Sequence, residues 1–284
     1  MKSLISYIQE KLVINSLQEK LVIKKSNQYK YFPKTKKELK DIILQRIKEE
    51  GIEADLNDID TSNITDMSGL FQKVEFNGDI SNWNVSNVKD MRFMFYECKK
   101  FNSDISDWDV SNVTDMNRIF YGCELFNQDI SKWDVSNIKD MSYMFCECEL
   151  FNQDISDWDV SNVNNMIYMF CGCKVFNQDI SKWDVLNVTN MECMFCGCKS
   201  FNQDLSNWDV SNVTNMPLMF FDCESFNQDI SNWDVSSVTD MRYMFTNCIN
   251  FNQDLSNWNV SKVKDNVFIF DKCPIEEKYK PKFA

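Results

Sequence analysis

Residues 126–150 read FNQDISKWDVSNIKDMSYMFCECEL, and the chain repeats this stretch with a fixed step of 25 residues. Phe76, Phe101, Phe126, Phe151, Phe176, Phe201, Phe226 and Phe251 mark the step. A Trp follows each of them by seven positions, from Trp83 to Trp258, and these eight are all the tryptophans in the 284-residue chain. A second Phe column begins at Phe95 and ends at Phe270, and a Cys column begins at Cys98 and ends at Cys273. Self-similarity at this period marks a solenoid, in which each unit buries its apolar face against its neighbours. A shorter coil comes first, with Leu56, Ile59, Ile64, Met67 and Phe71 on the apolar columns.

Within the coil that starts at Phe76, Ile80, Trp83 and Val85 have the Leu-x-x-Leu-x-Leu spacing of a short strand. Asn87 and Asp90 then read as an N-cap with an acidic N3 residue. Val88, Met91, Met94, Phe95 and Cys98 follow at a 3–4 spacing that predicts a short helix. The expected fold class is therefore α/β: a right-handed solenoid like the leucine-rich repeat, with one short parallel strand and one short helix per coil. Helices are wider than strands, so the strand side is expected on the concave face. The expected divisions are a helical cap and attachment segment at 1–51, the solenoid at 52–275 and a tail at 276–284.

Composition narrows the function. The net charge is −13, which argues against a nucleic-acid partner. Residues 1–50 carry +6, so the rest carries −19. There is no histidine, which removes the commonest general base and the commonest metal ligand together. Gln9-Glu10-Lys11 and Gln18-Glu19-Lys20 interrupt the apolar run at the start, so no signal peptide is expected, and no span is long enough to cross a membrane. Repetition of Cys at one apolar position of each coil reads as small, reduced core residues. The Cys-x-Cys pairs Cys146/Cys148, Cys171/Cys173 and Cys196/Cys198, with Cys193, crowd three neighbouring coils. Core packing is the reading adopted for them, with zinc or copper(I) as the alternative; no metal or cofactor is assigned.

The N-terminal segment is a different object. Leu4, Ile8 and Leu12 share a helical face, and QEKLVI occurs at 9–14 and again at 18–23. After Pro33, Thr35 and Glu38 form a capping box, Leu39, Ile42, Ile43 and Ile47 a stripe, and Gly51 a stop. A helix over residues 36–50 is thus expected to cover the open apolar end of the first coil. Asn266, which replaces a repeated Met, and the polar tail after it are expected to close the other end.

The motif F-N-x-D-I-S-x-W-x-V-S-N-V-x-D-M-x-x-M-F resembles the BspA-like leucine-rich repeat surface proteins, which include mycoplasma lipoprotein repeats of unknown function. The resemblance covers roughly residues 55–273. It implies a non-catalytic surface or adhesion protein that binds a protein or glycan. Location is open: cytoplasmic by default, cell surface or virion by resemblance. The alternative is a structural element that self-associates.

Two rows are candidate partner-binding sites. Asp109, Asp134, Asp159, Asp184, Asp209 and Asp234 alternate with inward residues and point outward, flanked by the variable Lys132 and Lys182. Hydrogen bonding to Ser111 and its equivalents is the plainer explanation of this row, and a ladder accepting cations or a basic partner the sharper one. The second row varies along the expected helix: Phe93, Arg118, Tyr143, Tyr168, Cys193, Leu218, Tyr243 and Phe268. If helical these side chains are exposed; if the turns are irregular they are buried. The concave Asp row is the preferred site, with Phe93, Tyr143, Tyr168 and Tyr243 as the alternative.

Overall fold

The structure, a computed structural model, describes residues 28–283. The face shared by Leu4, Ile8 and Leu12 and the QEKLVI repeats lie outside the described residues. The remainder is a continuous stack of coils around one apolar core. That core runs from Leu39 and Ile43 through the Phe, Trp, Met, Val and Cys columns to Ile275. The repeat solenoid is therefore present, but its coils are not strand and helix. Among the described residues the helices of more than one residue are α1, Lys36–Glu50, and a 3-10 turn at Glu277–Tyr279.

The segment expected to be helical is a series of tight turns. The N–H groups of Met94, Tyr96 and Cys98 donate to the carbonyls of Met91, Phe93 and Phe95, at 3.2, 3.1 and 2.9 Å. Between these bonds, Met91, Phe93, Phe95 and Glu97 donate to Asp115, Asn117, Ile119 and Tyr121 of the next coil, at 2.6–3.0 Å. The physical reason is donor supply. A helix spends each N–H four residues back and leaves none for a neighbour, whereas the turn series frees every second N–H to point along the stack. Turns closed by bonds three residues apart also satisfy the 3–4 apolar spacing, so the pattern alone does not separate the two. Asn87 and Asp90 accordingly cap no helix. Asn87 Nδ2 donates to the Ser62 carbonyl of the preceding coil, and Asp90 Oδ1 accepts from the Arg92 amide.

Two positions per coil, four apart, have positive φ: Phe93 and Glu97, Arg118 and Gly122, Tyr143 and Glu147, on to Phe268 and Lys272. Side chains there cost about 1 kcal/mol each, which the inter-coil bonds offset. Isolated parallel bridges, such as Asp90 with Asp115 and Asn165 with Asn190, open the same segment. No described residue around Ile80, Trp83 and Val85 forms a strand.

The opposite side of each coil is joined by side chains. Trp158 Nε1 donates to the Ile130 carbonyl of the preceding coil at 3.2 Å, and the other seven tryptophans do the same. The Asn127 side-chain oxygen accepts from the Asn152 amide at 2.9 Å. In the Cys column, the Cys148 thiol donates to the Phe120 carbonyl at 3.0 Å.

Equivalent rings reveal the curvature. Their spacing is 4.7 Å between Tyr143 and Tyr168 on the turn side. It grows to 5.7 Å between Phe145 and Phe170, 6.1 Å between Phe151 and Phe176, and 6.5 Å between Trp108 and Trp133. The turn ladder is therefore the short, inner side and the Trp side the long, outer one. This reverses the expected placement, because the backbone-bonded ladder draws coils closer than side-chain bridges do.

At the first coil, Thr35 Oγ1 accepts from the Glu38 amide at 3.2 Å, and Gly51 ends α1 with φ 92°. The Glu38 carboxylate accepts from the Lys34 amide, one residue before the expected one. Leu39 and Ile43 are buried in the solenoid core, with Ile42 and Ile47 packed against it. Arg46, which the apolar pattern does not indicate, clamps this helix down: it reaches Asp58 at 2.7 Å and the Asp55 carbonyl at 2.8 Å. At the far end the Leu255 amide donates to the Tyr279 carbonyl, and Glu276 continues the Asn ladder on Asn252.

Candidate functional site

The Asp row is built by Asx turns. In Asp109 and Asp134 one carboxylate oxygen accepts both the amide and the hydroxyl of the serine two residues on, the hydroxyls at 2.6 Å. Asp159, Asp209 and Asp234 accept the amides of Ser161, Ser211 and Ser236, and Asp184 that of Leu186. The serine hydroxyls and amides hold Asp159, Asp209 and Asp234 below the usual carboxylate range. All six carboxylates are exposed. Hydrogen bonding to serine thus accounts for their orientation, and none of the six forms an ion pair among the described residues. The row lies beside the Trp column as expected, but on the long side of the stack and not on the concave one. Lys132 lies 3.5 Å from Asp107 rather than from the row, and Lys182 is exposed.

Repulsion along this row is weak. At a step of roughly 6 Å in water, neighbouring charges cost about 0.7 kcal/mol per pair, and salt screens that further. A second exposed acidic column, from Asp79 to Asp254, runs parallel, and Ser81 and its equivalents cap it in the same way. A shallow depression lined by Asn207, Asp209, Asn232 and Asp234 opens between two coils of the first row.

The alternative row does not lie on helices. Phe93, Tyr143, Tyr168 and Tyr243 occupy the first left-handed position of their coils and are half-buried, Cys193 is buried and Phe268 exposed. They cover one another. Tyr143 stacks on Tyr168, and the Arg118 guanidinium lies 4.0 Å from the Tyr143 ring centre and 5.6 Å from that of Phe93. Burial raises the Tyr143 hydroxyl, and contact with the Cys193 thiol raises Tyr168. Beside this stripe Tyr96 stacks on Tyr121 at 4.8 Å, a pair not singled out from the sequence although its column also varies between coils. The two rows are on different sides of the coil, so they are separate surfaces and not one site.

The family described as "Mycoplasma protein of unknown function, DUF285" matches residues 41–145, 123–220 and 176–279. The chain belongs to this family. Its three overlapping matches follow from the repeat itself, since any run of coils resembles its neighbours. No curated protein and no solved structure matches the chain. No helix among the described residues is long and apolar enough to cross a membrane.

Proposed function

We propose that the chain is a non-catalytic binding solenoid whose long side takes a basic protein segment. The observation behind this reading is the row from Asp109 to Asp234: carboxylates held in one orientation, exposed, and without an ion-pair partner among the described residues. The ring step on that side is 6.4–6.5 Å. An extended peptide with Lys or Arg at every second residue presents cations about 6.7 Å apart on one face, which matches it. A rigid stack also lowers the ordering cost of binding. The resemblance to BspA-like leucine-rich repeat proteins agrees with a surface or adhesion role, and acidic groups that repeat instead of converging support a non-catalytic reading.

The test uses a labelled peptide of alternating Lys and Thr. Replacing Asp134, Asp159 and Asp184 together by Asn should weaken binding at least tenfold and flatten its salt dependence. The fold should survive, because Asn84 and Asn259 already make the same turn in this column. Unchanged binding, or loss only on Tyr143→Ser with Tyr168→Ser, would sink this choice of face. A second reading, self-association, is favoured by the exposed apolar side chains Leu125, Leu150 and Val175 in successive coils. A concentration-dependent sedimentation coefficient abolished by Leu150→Lys would establish it.

A further inference from the structure

The thiols fall into two classes. Those of the invariant column from Cys123 to Cys248 each donate to a backbone carbonyl of the preceding coil. Cys146, Cys171 and Cys196 belong to another column, where the coils before carry Tyr96 and Tyr121 and the coil after carries Phe221. Here sulfur meets sulfur. Cys171 contacts both Cys146 and Cys196, and Cys196 contacts Cys193, whose thiol touches the Tyr168 hydroxyl.

Glu147 brings a carboxylate to the same place. One oxygen of Glu147 and the sulfurs of Cys146 and Cys171 all lie within 4.8 Å of one another. The next coil leaves room for it. A Cβ at Gly172 would fall 2.8 Å from the Glu147 carboxyl carbon, so glycine there is what lets the carboxylate lie over the backbone. Cys146 is 3% exposed. A shallow opening lined by Glu97, Lys99, Tyr121, Glu124, Glu147 and Glu149 reaches the carboxylate, its four glutamates outnumbering the one lysine.

We propose that Cys146, Cys171 and Glu147 bind one zinc ion, with Cys196 or water as fourth ligand. Two thiolates and a carboxylate form a mixed set that suits borderline-soft Zn²⁺; copper(I) is satisfied by sulfur alone and gains nothing from the carboxylate. Metal–ligand lengths of about 2.0–2.3 Å put tetrahedral ligand atoms roughly 3.3–3.8 Å apart, so these three atoms, within 4.8 Å of one another, have only a short way to close. Each bound ion displaces one proton from each ligating thiol, two with water as fourth ligand and three with Cys196. The site joins two successive coils across the turn ladder, so occupancy stabilises the middle of the stack.

The full, reduced, metal-free chain is titrated with Zn²⁺ alone against a chromophoric chelator, and with Co²⁺ to read its thiolate charge-transfer band. One equivalent should bind, with a raised thermal midpoint and protection of Cys146 and Cys171 from alkylation, and of Cys196 too where it is the fourth ligand. Cys171→Ser should weaken binding at least 100-fold and Glu147→Gln about tenfold, while Cys248→Ser leaves it intact. Absence of stoichiometric Zn²⁺ binding, or affinity indifferent to Cys171→Ser, overturns the site. Tight copper(I) binding indifferent to Glu147→Gln, with weak Zn²⁺ binding, overturns the assignment to zinc.

Discussion

The two sides of each coil hold the stack together by different means. On the turn side, from Met91 to Cys98 and its equivalents, the backbone makes the junction, and its donors include Phe93 and Glu97. Those columns vary freely: Phe, Arg, Tyr, Cys and Leu at one, Glu, Gly, Asp, Asn and Lys at the other. On the Trp side the indole and the Asn side chain make it, and these columns do not change in eight coils. A junction made by a side chain therefore fixes its residue, whereas a backbone junction tolerates variation at Phe93 and Glu97 and keeps Met91 and Phe95 because the core buries them. The same division explains the curvature, because amide-to-carbonyl bonds bring coils closer than side-chain bridges do.

The strongest test sets one column against the other. Trp158→Ala removes a buried ring and its indole bond to the Ile130 carbonyl, which keeps only the Trp133 amide, and should cost about 3–5 kcal/mol in urea denaturation. Tyr143→Ala leaves every backbone bond of its coil in place and should cost about 1 kcal/mol or less. Equal losses would break the comparison.

Alkaline pH probes the side-chain junctions further. Burial pushes the Cys98 thiol up to about 12, so the unfolded chain releases this proton at lower pH than the folded one. The contribution is whole below the unfolded value near 8.5 and is lost as pH rises towards 12, at about 1.4 kcal/mol per pH unit. The stability gap between the native chain and Cys98→Ala should therefore shrink across that window; a gap constant with pH would show the thiol is not held protonated by the fold.

The smallest effect belongs to the backbone side. Gly122 has φ 71°, and Gly122→Ala should cost about 1 kcal/mol, since Glu97 and Glu147 already occupy the equivalent position. A loss above about 3 kcal/mol would mean the ladder depends on side-chain identity there after all.

Much of this protein was legible in its sequence. The Phe, Trp and Cys columns, the first coil and the helix from Thr35 to Gly51 all followed from periodicity and capping chemistry, because each involves contacts near in sequence or repeated at one step. The turn-forming role of Asp and Ser was legible for the same reason: the partners are two residues apart. The course of the backbone was not. Apolar positions three and four apart suit a helix and a chain of turns equally, and only closure of the coil decides between them, when amides seek carbonyls 24 residues away. The curvature depended on that choice, and so did the side on which the Asp row lies. The tertiary structure alone separated Cys146 and Cys171 from Cys148 and Cys173, since two residues in a turn series face different neighbours although the sequence spaces them as a pair.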